Sequence, residues 1–360
     1  MDADRVTHNG CGFASARKAA TFQHMADLSL TPAALAEACR NGDRRAASRL
    51  ITLLESGDPK LIAETSRAVS NFPLPRQTIG LTGPPGAGKS TLLDYAVGLF
   101  RARNDRVAVL AIDPSSPFTG GALLGDRIRM ASLRNDSGVF IRSMGSRGAS
   151  GGMAAAASDA LRVLGAAGYA VVFLETVGAG QAETEVVNLA DTVLVVQVPG
   201  LGDDVQLMKM GILEIADIFV VNKADKPEAE HLKAQIELAL QTSIEPPCRA
   251  IRQLGPAFSK SFTGTRWAPP VLLISALKHT GGNTLVEETQ KHLEFLRQPQ
   301  LAPALKRHRM AHEIVWRAGL RFQADVLEKL APGSAFAGLL DQCAAGTLSL
   351  DAAVEKIVPL

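Results

Sequence analysis

The residues best suited to chemistry stand in the run Gly83-Pro84-Pro85-Gly86-Ala87-Gly88-Lys89-Ser90, which has the spacing G-x-x-x-x-G-K-[ST]. Glycines without a Cβ let successive backbone N–H groups wrap around a phosphate, and a helix opening at that point adds partial positive charge. Lys89 has the reach to hold β- and γ-phosphates, and the Ser90 hydroxyl is a ligand for Mg²⁺. The strand-like Thr78-Ile79-Gly80-Leu81-Thr82 precedes the run and a helical stretch follows from Thr91, the context that separates a phosphate loop from a chance cluster of glycines.

Two later runs supply what such a loop needs. Val171-Val172-Phe173-Leu174 leads into Glu175-Thr176-Val177-Gly178, an acid-x-x-Gly element. Its carboxylate can hold Mg²⁺ directly or through water, and the Gly178 N–H can meet a γ-phosphate, so that the loop senses hydrolysis. Glutamate is less common than aspartate here. Gln181 can orient a water or stand as an ordinary loop glutamine, and the sequence leaves both open. Val220-Val221-Asn222-Lys223-Ala224-Asp225 ends another strand with N-K-x-D. The Asp225 carboxylate can accept from both N1–H and the 2-amino group of guanine, a pair adenine does not offer. Lys223 can lie along the ring, Asn222 can tie loops together, and Ser275-Ala276-Leu277 can offer a backbone N–H to the guanine O6. Taken in order, the three runs predict GTP and GDP as ligands, with Mg²⁺.

The elements that must position these groups are visible in the apolar pattern. Strands are expected at 77–82, 106–112, 138–142, 169–175, 192–198, 217–222 and 271–274. Unbroken runs such as Val107-Ala108-Val109-Leu110-Ala111-Ile112 mark strands buried on both faces, hence an α/β, doubly wound, mostly parallel sheet. Asp113 ends one such strand beside the phosphate loop. Residues 1–27 read as a flexible tail and 28–75 as an N-terminal helical segment, in which Thr31-Pro32 opens one helix and Gly42-Asp43 separates a second. The Gly57-Asp58-Pro59 run ends that second helix. The core is expected over 76–297 and a helical arm over 298–360. The arm's apolar face must be covered by the chain's own core or by a neighbouring subunit, with equal claim.

Composition narrows the class. The chain has 360 residues, 46% hydrophobic and 21% charged, with a formal net charge of +2. That balance predicts neither nucleic acid nor an anionic membrane as partner, and no apolar run reaches the ~18 residues of a membrane span. Cys11, Cys39, Cys248 and Cys343 are scattered, which suits a reducing compartment, and the cytoplasm is the expected location. His308 and His312 share helical spacing but have no acidic motif between them, which favours a solvated helix face over a metal site.

These runs and the segments between them resemble the MeaB/ArgK-type GTPases associated with adenosylcobalamin-dependent acyl-CoA mutases, a family that includes the methylmalonic aciduria type A protein. The resemblance extends over about residues 38–290. It is carried by Asp113-Pro114-Ser115-Ser116, Gly120-Gly121-Ala122-Leu123-Leu124-Gly125-Asp126-Arg127, Glu175-Thr176-Val177-Gly178-Ala179-Gly180-Gln181 and Pro199-Gly200-Leu201-Gly202-Asp203-Asp204. It implies a SIMIBI-class P-loop fold, a homodimer joined by the C-terminal arm, and slow GTP hydrolysis stimulated by a B12-dependent acyl-CoA mutase. The family pattern puts Asp113, Asp126 and Glu175 around Mg²⁺ beside Ser90, and Lys89, Asp126, Glu175 and Gln181 in hydrolysis. Residues 199–215 resemble an additional switch, and can equally be a capped loop before a helix. Arg127, Arg129, Arg134, Arg142 and Arg147 can face phosphate or partner, although a solvated face is the commoner use of such a stretch. Two other roles compete: a metallochaperone GTPase, which calls for clustered Cys/His ligands, and a kinase of an amino-acid transport system, which calls for an acceptor hydroxyl.

Overall fold

A computed structural model describes residues 31–56, 58–113, 136–145, 152–176, 188–200, 212–242 and 248–358. Among them lies a seven-stranded sheet of order β3-β2-β4-β1-β5-β6-β7. Its strands are β1 Gln77–Thr82, β2 Val107–Asp113, β3 Val139–Gly145, β4 Val171–Thr176, β5 Thr192–Gln197, β6 Ile218–Asn222 and β7 Val271–Ile274. Every neighbouring pair is parallel. The expected strands are all present, and β3 runs three residues further than its apolar pattern, to Gly145.

Registered residues share a face, and the two faces bury different helices. Toward one side, Leu110, Val172 and Leu174 pack under α1 (Pro32–Arg40), α2 (Arg44–Leu54), α3 (Pro59–Val69) and, later in the chain, α5 (Gly152–Ala166). Toward the other, Ile79, Val109 and Phe173 meet α4 (Lys89–Ala102) and α7 (Gly282–Leu296). Phe219 and Val221 are covered by α6 (Ala229–Thr242), on the first side at the far end of the sheet. This double cover explains the unbroken apolar runs, because neither strand face meets water.

The N-terminal segment holds three helices where the sequence separates two. Asp58 accepts from Lys60 N at 2.9 Å and Leu61 N at 3.2 Å, so it caps α3, while α2 has already ended at Leu54 with Glu55 as its C-cap. An aspartate cap followed by proline at the first helical position is a start signal as much as a stop. Arg142, on β3, is neither solvated nor aimed at a phosphate. Its guanidinium donates to Ser48 O at 3.0 Å and to Glu55 Oε2 at 2.7 Å, fastening α2 to the sheet edge.

The C-terminal arm comprises α8 (Leu301–Lys329), α9 (Gly338–Ala344) and α10 (Leu350–Ile357). Leu301 and Leu305 are buried with Phe295, Leu296 and Ile251, so the arm begins in the chain's own core. Farther along, Arg317 pairs with Asp159 of α5 at 2.5 Å, and Arg162 of α5 pairs with Glu313 at 2.8 Å. Met310, Ile314, Val315, Phe322 and Leu327 of α8 remain exposed. No helix among the described residues is long and apolar enough to cross a membrane.

Candidate nucleotide site

Strand order fixes where the chemistry collects. β1 is central, and the connections leave its carboxyl end toward β2 on one side while β4 and β5 flank it, an arrangement that opens a crevice at that edge. The phosphate loop Gly83–Gly88 leaves β1 there and α4 begins at Lys89. Gly88 has φ 78°, and a Cβ at this position would stand 2.7 Å from Asn222 Nδ2. Glycine is therefore needed for its backbone conformation and for the close approach of the base-site strand. Pro85 and Gly86 form the exposed rim, Ala87 is buried, and Thr91 is exposed in the first turn of α4.

Lys89 Nζ donates to Gly83 O at 2.7 Å and Pro84 O at 3.2 Å, which bridges its ammonium across the opening of its own loop. The Ser90 hydroxyl donates to Glu175 Oε1 at 2.9 Å. Glu175 reaches this point because β4 lies beside β1 with Leu81 opposite Glu175. Its side chain is almost fully buried. Serine hydroxyl and carboxylate form an all-oxygen donor set, which fits a hard divalent cation such as Mg²⁺. Asp113 ends β2, one residue beyond Ile112, which lies opposite Thr176. Its backbone therefore reaches the same edge.

Asn222 is the joint between the phosphate and base halves. Its Nδ2 donates to Ala87 O at 2.9 Å, and its Oδ1 accepts from Ala276 N at 3.3 Å. Lys223, at φ 58°, turns back so that Nζ donates to Gly86 O at 3.0 Å. Asp225 is exposed, and the Ser275 hydroxyl donates to its Oδ1 at 2.6 Å, holding that carboxyl below its usual range. Ser275 and Thr280 form an isolated antiparallel bridge that closes the intervening loop, with Leu277 80% exposed at its tip. Motif spacing assigns 275–277 only a backbone amide. It misses the Ser275 side chain, whose partner Asp225 lies fifty residues earlier and leaves no local signal.

The structure thus brings together Gly83–Ser90, Glu175, Asn222, Lys223, Asp225 and Ser275–Leu277 along one edge of the sheet. Asp126, Gly178 and Gln181 lie outside the described residues, as do Arg127, Arg129, Arg134, Arg147 and 201–211 of the additional switch. His308 and His312 meet edge to face on α8, with ring centroids 4.4 Å apart and planes inclined by 62°. They border a cavity of about 170 Å³ with Trp316, Asp191 and Arg309.

Comparison with known proteins finds relatives along most of the chain. The family model described as "Methylmalonyl Co-A mutase-associated GTPase MeaB" matches residues 47–330. A Pyrococcus abyssi protein whose name places it among GTPases is 47% identical over 280 residues, covering 78% of this chain and 82% of that protein. The mitochondrial methylmalonic aciduria type A homolog of Mus musculus is 33% identical over 253 residues, covering 69% of this chain and 56% of that one. Among solved structures, an LAO/AO transport system kinase superposes with TM-score 0.60 at 26% identity, covering 91% of this chain and 96% of that one. The site and the extent of these matches lead to one conclusion: the chain belongs to the methylmalonyl-CoA mutase-associated GTPase family.

Proposed function

We propose that this protein hydrolyses GTP to GDP and phosphate in order to gate adenosylcobalamin loading onto a B12-dependent acyl-CoA mutase, and to protect that enzyme once loaded. The observation that carries the reading is the family match over 47–330, on a chain whose guanine and phosphate groups share one edge. The amides of Gly83–Gly88 cradle the β-phosphate, and Lys89 leaves its loop carbonyls for the β- and γ-oxygens. Asp225 selects guanine, and Asn222 passes the position of one half to the other. Ser90 and Glu175, with Asp113 and Asp126, hold Mg²⁺, which when bound neutralises charge building on the phosphates. Gly178 reports the γ-phosphate, and Gln181 orients water.

Energy from γ-phosphate contacts then biases a two-state loop that the mutase reads, the class of switch in which a ligand favours one conformer. The active unit is a homodimer using the exposed apolar side chains of α8, and it works in the cytoplasm, where Cys39, Cys248 and Cys343 stay as free thiols. The test combines apo-mutase, adenosylcobalamin and this protein, following holo-mutase formation with GTP or with GDP. A nucleotide-dependent change in the rate or yield of loading supports the role, whereas identical loading with both nucleotides contradicts it. Likeness to the LAO/AO transport system kinase gives a second reading, phosphoryl transfer to a protein, some footing. Labelled phosphate appearing on an acceptor protein, rather than free in solution, would favour that reading.

A further inference from the structure

The loop that closes the base site is held from one side by Asn222 and Asp225. On its other side, the exposed imidazole of His279 lies flat on the ring of Tyr95, with centroids 4.7 Å apart and planes inclined by 13°. Tyr95 sits on α4, the helix that begins with Lys89, and is itself half-buried against the core. His279 takes φ 54°, a left-handed conformation that costs a residue with a Cβ about 1–2 kcal/mol. A position under that strain persists when its surroundings over-determine it. Gly282, at the start of α7, makes the room: a Cβ there would overlap the Tyr95 hydroxyl and Leu99 Cδ1.

We propose that Tyr95 and His279 are positioning residues for guanine recognition, their stack clamping the 275–281 loop onto the phosphate-loop helix so that its groups meet the base at fixed height. The inference rests on the base-site reading above and adds to it residues outside the N-K-x-D and Ser275–Leu277 runs. Three features bear on the clamp. The Ser275–Thr280 bridge makes the loop a closed unit, so fixing His279 fixes its neighbours. Lys278 N donates to the same Ser275 hydroxyl that contacts Asp225, at 3.3 Å, which links the stacked end to the guanine carboxylate. The clamp stands on α4 and not on a strand, so the phosphate and base halves are joined twice, through Asn222 and through Tyr95.

The experiment measures GTP and ATP turnover for Tyr95→Ala, Tyr95→Phe, His279→Ala and His279→Gly, and GTP against xanthosine triphosphate turnover for Asp225→Asn as a control on the base site. Tyr95→Ala and His279→Ala are expected to raise the KM for GTP about tenfold and to narrow the preference for GTP over ATP, with kcat within twofold. Tyr95→Phe retains the ring and should behave as the parent. His279→Gly is the decisive variant, because it relieves the backbone strain yet removes the stack, and it should share the alanine defect. Unchanged KM and base preference in both alanine variants would overturn the clamp, as would a fall in kcat alone. A defect in Tyr95→Ala that His279→Ala and His279→Gly do not share would also overturn it, assigning the loss to α4 packing. If Asp225→Asn still prefers GTP over xanthosine triphosphate, the base-site reading itself fails. If it switches while the stack variants stay neutral, only the clamp fails.

Discussion

At the scale of single residues, the proposed function gives Lys89 and Asp225 opposite halves of nucleotide selection. Lys89 bridges two carbonyls of its own loop and offers the positive charge that phosphoryl transfer demands. Lys89→Ala should lower GTP turnover by about 10²-fold or more, the scale of losing one preorganised electrostatic donor, with the fold retained by circular dichroism. Turnover unchanged in that variant would take the phosphate loop out of the mechanism. Asp225 faces solvent, open to the base that the proposed function assigns to it, and is held by Ser275. Asp225→Asn should weaken GTP and favour xanthosine triphosphate, whose 2-oxo group accepts from an amide; competition binding with the two nucleotides reads this directly. Motif spacing makes both residues legible in the sequence. Their supports are not, because Ser275 reaches Asp225 and Asn222 reaches Ala87 across 50 and 135 positions with no periodic pattern between them.

At the scale of elements, each strand reads plainly because burial on both faces writes the same apolar run. What the runs do not show is how strand starts are fastened at the edge opposite the nucleotide. Asp217, just before β6, accepts from Val193 N at 2.8 Å and pairs with Arg249 at 2.7 Å, both side chains nearly fully buried. His292 of α7 lies 3.4 Å from the same carboxylate, and its Nδ1 is 2.9 Å from the Thr192 hydroxyl. Burial alone would raise the Asp217 carboxyl, but the Arg249 guanidinium and His292 imidazole hold it well below the usual carboxylate range. A depressed folded-state value means that its stabilisation is present above the unfolded pKa near 4 and is lost as pH falls toward the folded value. Asp217→Asn should therefore destabilise the protein by about 3 kcal/mol at neutral pH and flatten the loss of stability below pH ~4. Denaturant melts across that range check both. Five residues on four separate segments form this network, so a lone Asp or His in the sequence carries no hint of it. Asp58 is ambiguous for a different reason, since an Asp-Pro step reads in a sequence as a stop as readily as a start, and here it starts α3.

At the scale of the whole molecule, the sheet order sends the phosphate and guanine groups to one edge, while the arm leaves from the other side of the core. α8 is seated at Leu301 and Leu305 and tied to α5 through Arg317, and then presents Met310, Ile314, Val315 and Phe322 outward. The sequence foretells helices here but leaves their cover open, because an apolar stripe specifies that something must be buried and not which molecule buries it. The family to which the chain belongs is described as methylmalonyl-CoA mutase-associated, and the proposed function takes its partner from that class. The most direct measurement is GTP hydrolysis by the purified protein, alone and with a panel of adenosylcobalamin-dependent acyl-CoA mutases. Slow turnover that one mutase accelerates is the predicted result, and it would identify the partner; GTP hydrolysis indifferent to every mutase would contradict the proposed role.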